Sequence, residues 1–321
     1  MITPKNTAYQ PETRPDNTQK DTKLLRRERT LGPCKIGPAI AQTSQAVVYE
    51  VSIADGRTAK TSSGPLIMKT ARASDDSGQR LRSEAAVLRM ALHPAFPEYI
   101  TEGEDKESDL FYLVMEKLEG SLLYNKLRSS PFGLLDAIDT LIKLGAPLSA
   151  LHQAGLIHRD LKPGNIFITA AGPRPFDLGL VFDIERQQDA VGGLKQGTVA
   201  GTPGYLAPEQ VLAIRLDQRT DIYSLGLIAY EMIAGDNPMA DTCKTASYMN
   251  QILQKLPLIT KEALAQRFSI NSDGEQLGSF CEYLNEFFAS ATAKNPSQRF
   301  PDIVTFQKVL INLRKLLIKT D

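Results

Sequence analysis

The sequence predicts an α+β protein of two unequal lobes: a small one built on an antiparallel sheet with one helix, then a larger one that is mostly helical. Three observations predict it. Between Cys34 and Glu116, β-branched and aromatic runs alternate with polar, Gly-containing turns. One stretch of helical periodicity interrupts those runs. From Gly120 onward, apolar residues recur mostly at helical spacing.

The elements follow in order. Residues 1–31 are rich in Thr, Pro, Asn, Gln, Lys and Arg and poor in large apolar residues, the pattern of a mobile polar tail. Its cluster Arg26-Arg27-Glu28-Arg29 reads as a solvated face. The small lobe is expected over 32–117, with strands at AVVYEV, PLIMK and LFYLVME. A helix is predicted from about Gln79 to Met90, because Leu81, Ala85, Leu88 and Ala91 share one face. The larger lobe is expected over 118–321. Its helical signals are LLDAIDTLIKLGAPLSALHQAG, DIYSLGLIAYEMIAG and the amphipathic stretches after Gly278, around the loop KNPSQRFP.

Composition excludes several roles. The chain has 321 residues, 42% hydrophobic and 23% charged, with 37 basic side chains balanced by 37 acidic ones. No net field draws it to nucleic acid or to an anionic membrane. No apolar run is long enough to span a bilayer, and the start lacks a signal-peptide core, so a cytoplasmic location is expected. Cys34, Cys243 and Cys281 are odd in number and far apart. They fit neither a disulfide framework nor a metal-ligand spacing, and read as buried free thiols.

The stretch LIHRDLKPGNIFI, Leu156 to Ile168, sets charges between two apolar runs. Charge among buried segments is tolerated when it is paired or bound to an ion. A short loop ending in Pro-Gly aims Asp160, Lys162 and Asn165 at one point. Asp177 in FDLGL again lies among apolar neighbours, Lys69 ends PLIMK, and Glu84 lies on the expected helix. Together they offer a proton acceptor, two oxygen ligands for a hard cation and a Lys–Glu pair. Phosphoryl transfer requires that set.

With these motifs in this order, the chain resembles a eukaryotic-type Ser/Thr protein kinase of the bacterial branch, over residues 34 to 315 or so. The resemblance implies the bilobal protein-kinase fold, use of ATP and Mg²⁺, and protein substrates with Ser or Thr acceptors. It implies Asp160 as the base toward the acceptor hydroxyl and Lys162 as the neutraliser of the moving phosphoryl group. Asn165 and Asp177 would bind Mg²⁺. Lys69 would contact the α- and β-phosphates, held by Glu84. VMEKLEG resembles the gatekeeper and hinge, with Met115 behind the adenine and the Glu116 and Leu118 backbones bonded to it. Val48 above and Phe167 below would sandwich the base. GTPGYLAPEQ resembles the end of an activation segment, which favours a protein substrate over a small molecule, and Lys162 favours Ser/Thr over Tyr. DIYSLG resembles the helix whose aspartate anchors the catalytic loop, and Arg299 would pair with Glu209. Arg159, beside Asp160, would receive an activating phosphate on Thr198, while the Thr202 hydroxyl would contact Asp160 and Lys162.

Three departures stand out. Where the family writes G-x-G-x-x-G in its phosphate loop, this chain has Ala41, Thr43 and Ala46. If the loop kept a glycine backbone, each would cost roughly 1 kcal/mol of strain. Otherwise the loop takes a different turn, with Thr43 or Ser44 offering its hydroxyl. Ile67 replaces the usual alanine and adds bulk beside the adenine. Leu178 replaces the Phe of D-F-G. These departures keep a second reading open: a pseudokinase that binds a nucleotide or a partner and signals by shape.

Overall fold

Period-two alternation sorts the small lobe's side chains onto the two faces of one sheet. The computed structural model describes residues 30–43, 45–54, 64–129, 132–189, 199–270 and 275–318. Six antiparallel strands, β1 (Thr30–Leu31), β2 (Cys34–Gln42), β3 (Val47–Ile53), β4 (Leu66–Arg72), β5 (Tyr99–Asp105) and β6 (Leu110–Glu116), lie in the order β1-β2-β3-β4-β6-β5. Val47, Tyr49, Leu66, Met68, Tyr112 and Val114 point to one side and form a core with Cys34 and Ile36. Ala71, Phe111, Leu113 and Met115 point to the other and meet Leu81, Ala85 and Leu88 of helix α1 (Asp76–Arg89). Lys69 lies on this second face, one residue pair from Ala71. Leu31 is buried in the first core, so the ordered lobe starts inside the stretch read from sequence as tail.

Helix α1 begins earlier than its apolar periodicity suggests. The Asp75 side chain accepts the backbone N–H of Ser77 and Gly78 and caps the first turn. At Gly78 a Cβ would stand 2.3 Å from the Arg72 carbonyl oxygen, so glycine lets the helix start press against the end of β4. That contact fixes where α1 crosses the sheet, and with it the position of Glu84.

Beyond the hinge come β7 (Ser121–Leu122), α2 (Leu123–Ser129) and α3 (Leu134–Gln153). Leu134, Ile138, Leu141, Leu144, Leu148 and Leu151 form the buried stripe of α3 at helical spacing. The chain then makes β8 (Leu156–Ile157), β9 (Ile166–Thr169), β10 (Gly172–Pro175), β11 (Phe182–Asp183) and β12 (Gln188–Asp189). Strands β10-β9-β7 and β12-β11-β8 form two small antiparallel sheets. Helices α4 (Pro208–Val211), α5 (Arg219–Ala234), α6 (Lys244–Leu253), α7 (Lys261–Phe268), α8 (Glu275–Ala291) and α9 (Ile303–Ile318) complete the lobe. Helix α5 is buried from Thr220 to Ile233, so it forms the centre against which α3 and α8 pack.

Cys34 and Cys281 are buried free thiols, and burial pushes both pKa values up. Cys243 is exposed, contrary to the sequence expectation; it stands just ahead of α6, where its side chain meets no core. Among the described residues, no helix is long and apolar enough to cross a membrane.

Candidate active site

The loop after β8 is hung from one buried carboxylate. Asp221, in the first turn of α5, accepts the backbone N–H of His158 at 2.8 Å and of Arg159 at 2.9 Å, and pairs with His152 Nε2 at 2.8 Å. Arg159 takes a left-handed backbone with φ of 67°, a conformation that costs a non-glycine residue about 1–3 kcal/mol. Its N–H on Asp221 and its carbonyl, which accepts from the Gln210 amide at 2.9 Å, hold it there. The Arg159 guanidinium lies over the Phe182 ring. His158 is fully buried beneath the loop, with its ring on the Phe176 carbonyl.

Burial alone would raise the pKa of Asp221, but the hydrogen bond and charge of His152, together with His158, outweigh this and hold the carboxyl below its ordinary value of 3.8. A depressed folded pKa stabilises the fold above the unfolded value and loses that contribution as pH falls through the folded one. We expect the stability gap between wild type and Asp221→Asn to be full at neutral pH and to shrink below about pH 4. Urea denaturation at stepped pH checks this; a gap that widens on acidification would contradict it.

From this suspended loop, Asp160 becomes the meeting point of three donors. Thr202 donates its hydroxyl to Oδ1 at 2.7 Å, and Asn165 donates its amide to Oδ2 at 2.9 Å. Lys162 Nζ is 3.0 Å from Oδ2 and donates to Thr202 Oγ1 at 2.5 Å. A second bond from the Asn165 amide to the Asp160 backbone oxygen turns the Asn165 carbonyl oxygen away from Asp160.

The second cluster joins the lobes. Lys69 Nζ lies 2.7 Å from Glu84 Oε2 and 2.8 Å from Asp177 Oδ1. Asp177 is also left-handed, with φ of 63°, and the next side chain, Leu178, is buried under α1. Leucine therefore fills the place expected of the D-F-G phenylalanine without opening the contact. Burial pushes the Glu84 carboxyl up, against the lowering pull of Lys69 and the Leu178 backbone N–H. Burial pulls the Lys69 ammonium down, but Asp177 and Glu84 outweigh it and hold the amine firmly protonated. Burial raises Asp177, but Lys69, helped by Lys162 and His158, outweighs it and keeps the carboxyl low.

Between these clusters runs the cleft. Val48, half-buried, pairs with Lys69 across β3 and β4, Ile67 is half-buried on β4, and the Phe167 ring lies 5.2 Å from that of Phe176. Met115 is buried and pairs with Ile67 across β4 and β6. Ile67 packs on the helix-side core, which takes up part of the volume it adds over alanine. Glu116 and Leu118 lead out of β6 into the crossing between the lobes.

The phosphate loop takes the second of the two courses its sequence offers: neither Ala41, Thr43 nor Ala46 has positive φ. The loop closes a turn of its own, in which the Thr43 hydroxyl accepts the N–H of Gln45 at 3.2 Å and of Ala46 at 3.1 Å. Thr198 lies outside the described residues.

One residue escaped the sequence reading. Arg174 of β10 forks onto the Glu116 carboxylate, with Nη1 2.5 Å from Oε1 and Nη2 2.7 Å from Oε2. It also donates to the carbonyls of Pro94, Ala95 and Phe96. The guanidinium therefore ties the strand before Asp177 to the hinge and to the loop behind α1. Burial works to raise the Glu116 carboxyl, but the Arg174 hydrogen bonds lower it. The only sequence cue was an arginine between prolines in GPRPF, which has no periodicity to read.

Known proteins bear on this geometry. A family model described as "Protein kinase domain" matches residues 52–310. Serine/threonine-protein kinase pkn2 of Myxococcus xanthus is 36% identical over 185 residues, covering 56% of this chain and 22% of that protein. Serine/threonine-protein kinase PknA of Mycobacterium tuberculosis is 37% identical over 184 residues, covering 56% of this chain and 42% of that protein. Serine/threonine-protein kinase PknL of the same species is 33% identical over 228 residues, covering 70% of this chain and 52% of that protein. The chain thus spans about half, or less, of the relatives it matches. A curled antiparallel sheet over a helical lobe, a Lys–Glu–Asp junction between them and a family match across most of the length agree: this chain belongs to the protein kinase family.

Proposed function

We propose that the chain is an active serine/threonine protein kinase, one domain from about residue 34 to 315, that transfers the γ-phosphoryl group of ATP to Ser or Thr hydroxyls of proteins. The observation that carries the reading is the junction at Lys69, whose ammonium meets Glu84 and Asp177 at 2.7 and 2.8 Å. It joins sheet, helix and cleft floor in one assembled arrangement. The donor set fits a hard divalent cation beside a polyphosphate: a low-pKa carboxylate on Asp177 and an amide oxygen on Asn165. The names of the relatives support Ser/Thr acceptors.

When bound, Mg-ATP supplies the phosphoryl group to be moved and the divalent charge beside it. Asp177 and Asn165 would hold the cation by their oxygens. Lys69, kept charged between two carboxylates, fixes the phosphate end, while Glu84 keeps Lys69 in reach. Val48, Ile67, Met115 and Phe167 enclose the base, and the Glu116 and Leu118 backbones set its register. Asp160 orients the acceptor hydroxyl and takes its proton. Lys162 offsets charge developing on the phosphoryl oxygens, and Thr202 holds it beside Asp160. Arg159 beside a phosphorylated Thr198 is the proposed activating pair. Free thiols at Cys34, Cys243 and Cys281 support a reducing compartment, the cytoplasm.

Lys69→Met tests the reading. Wild type should label a generic Ser/Thr protein acceptor from radiolabelled Mg-ATP, and the variant should lose that label by at least about a hundredfold. Equal labelling by both would overturn catalysis at this site and leave the pseudokinase reading.

A further inference from the structure

The turn at the tip of β2 and β3 already has an acceptor in place. Thr43 Oγ1 takes the N–H groups of Gln45 and Ala46, donates to the Ala46 carbonyl at 3.3 Å, and the Thr43 N–H donates to the same oxygen at 2.9 Å. The strand register fixes where this turn lies. Gln42 pairs with Val47, Val47 with Thr70 and Val48 with Lys69, so the turn caps the end of the cleft at which Lys69 points. In a kinase, the backbone N–H groups of this loop cover the phosphates. We propose that the Thr43 hydroxyl is an internal competitor for the nucleotide's terminal phosphates, occupying the donors those phosphates would use.

The inference rests on the kinase reading and deepens it, because it names a residue that sets affinity for the phosphate tail and not for the base. Thr43 and Ala46 themselves carry no left-handed backbone cost, since neither has positive φ. A phosphate that takes the two N–H groups must first displace the hydroxyl, so part of each new hydrogen bond is offset by one lost. Lys69 does not face this competition; its partners are carboxylates. The expected consequence is a site that binds nucleoside normally but polyphosphate weakly, until the loop is rearranged by substrate or partner.

Titration calorimetry with Mg-ADP and with adenosine, on wild type, Thr43→Val and Thr43→Ser, decides it. Valine keeps the branched shape and removes the acceptor; serine keeps the acceptor. Thr43→Val should bind Mg-ADP about tenfold more tightly and adenosine with unchanged affinity, while Thr43→Ser should match wild type. Unchanged or weaker Mg-ADP binding in Thr43→Val would overturn the proposal, and so would an equal shift for adenosine, which would trace the effect to the base pocket. A wild type that binds adenosine but gains nothing for ADP on substitution removes this inference alone. Absence of binding by either ligand to all three proteins removes it together with the kinase reading.

Discussion

Asp160→Asn should lower the turnover number for phosphoryl transfer about a hundred- to ten-thousandfold, with nucleotide binding changed by no more than about threefold. The asymmetry follows from what touches Asp160. Both of its oxygens face donors: Thr202 and Asn165 donate at 2.7 and 2.9 Å, and Lys162 lies at 3.0 Å. An amide of the same shape keeps one acceptor oxygen and turns an NH₂ toward a donor, so it cannot take a proton from the acceptor hydroxyl. Lys69, Glu84 and Asp177 are untouched by the change, so the nucleotide end should persist. Steady-state kinetics beside calorimetry with Mg-ADP separates the two effects. Turnover within a factor of about three of wild type would show that Asp160 is not the base.

Arg299→Met should destabilise the fold by about 3–5 kcal/mol. The guanidinium makes a two-pronged pair with Glu209, 2.6 Å to Oε1 and 2.8 Å to Oε2, with both side chains almost wholly out of water. Arg299 also donates to the carbonyls of Ala293, Arg219 and Lys294 and stacks over the Tyr223 ring. Methionine refills much of the space but leaves the Glu209 carboxylate buried with one neutral partner, the Thr220 hydroxyl at 3.0 Å. A buried charge stripped of its counter-ion is the costly event, more than the lost contacts. Because α4 follows the segment that carries Thr202, the damage should reach the Asp160 cluster. Urea denaturation gives the stability change, and a loss below about 1 kcal/mol would mean that Glu209 finds water or another cation.

Much of the fold was legible because hydrophobic period reports burial directly. The alternation in AVVYEV and PLIMK predicts the two faces seen at Val47/Tyr49 and Ile67/Lys69, and the stripe of α3 lies where its leucines recur. The errors arose where one side chain decides a local outcome. The start of α1 was set by the Asp75 cap and the close approach at Gly78, upstream of the first periodic apolar residue. Thr30 and Leu31 sit in a polar context, yet pair with Lys35 and Cys34 of β2. Cys243 could not be told from its buried counterparts, because a lone cysteine has no pattern around it.

The site divides in the same way. Lys69, Glu84, Asp160, Lys162, Asn165, Asp177 and Thr202 were all named from motif order, and the fold gathers them into two bonded clusters. The phosphate loop follows the alternative its sequence offered: the Thr43 hydroxyl closes a turn, and Ala41, Thr43 and Ala46 all avoid positive φ. Arg174 was invisible because its partner Glu116 and the carbonyls of residues 94–96 lie 58 or more positions away. Long-range polar contacts of that kind leave no periodic trace.

Phosphoamino-acid analysis of a protein acceptor after incubation with γ-labelled Mg-ATP probes the whole arrangement at once. Acid-stable label on serine or threonine, present with wild type and missing with Asp160→Asn, is the expected result. An acceptor that stays unlabelled in the presence of properly folded wild type, or label that survives the substitution undiminished, would contradict the assignment of transfer to this cleft.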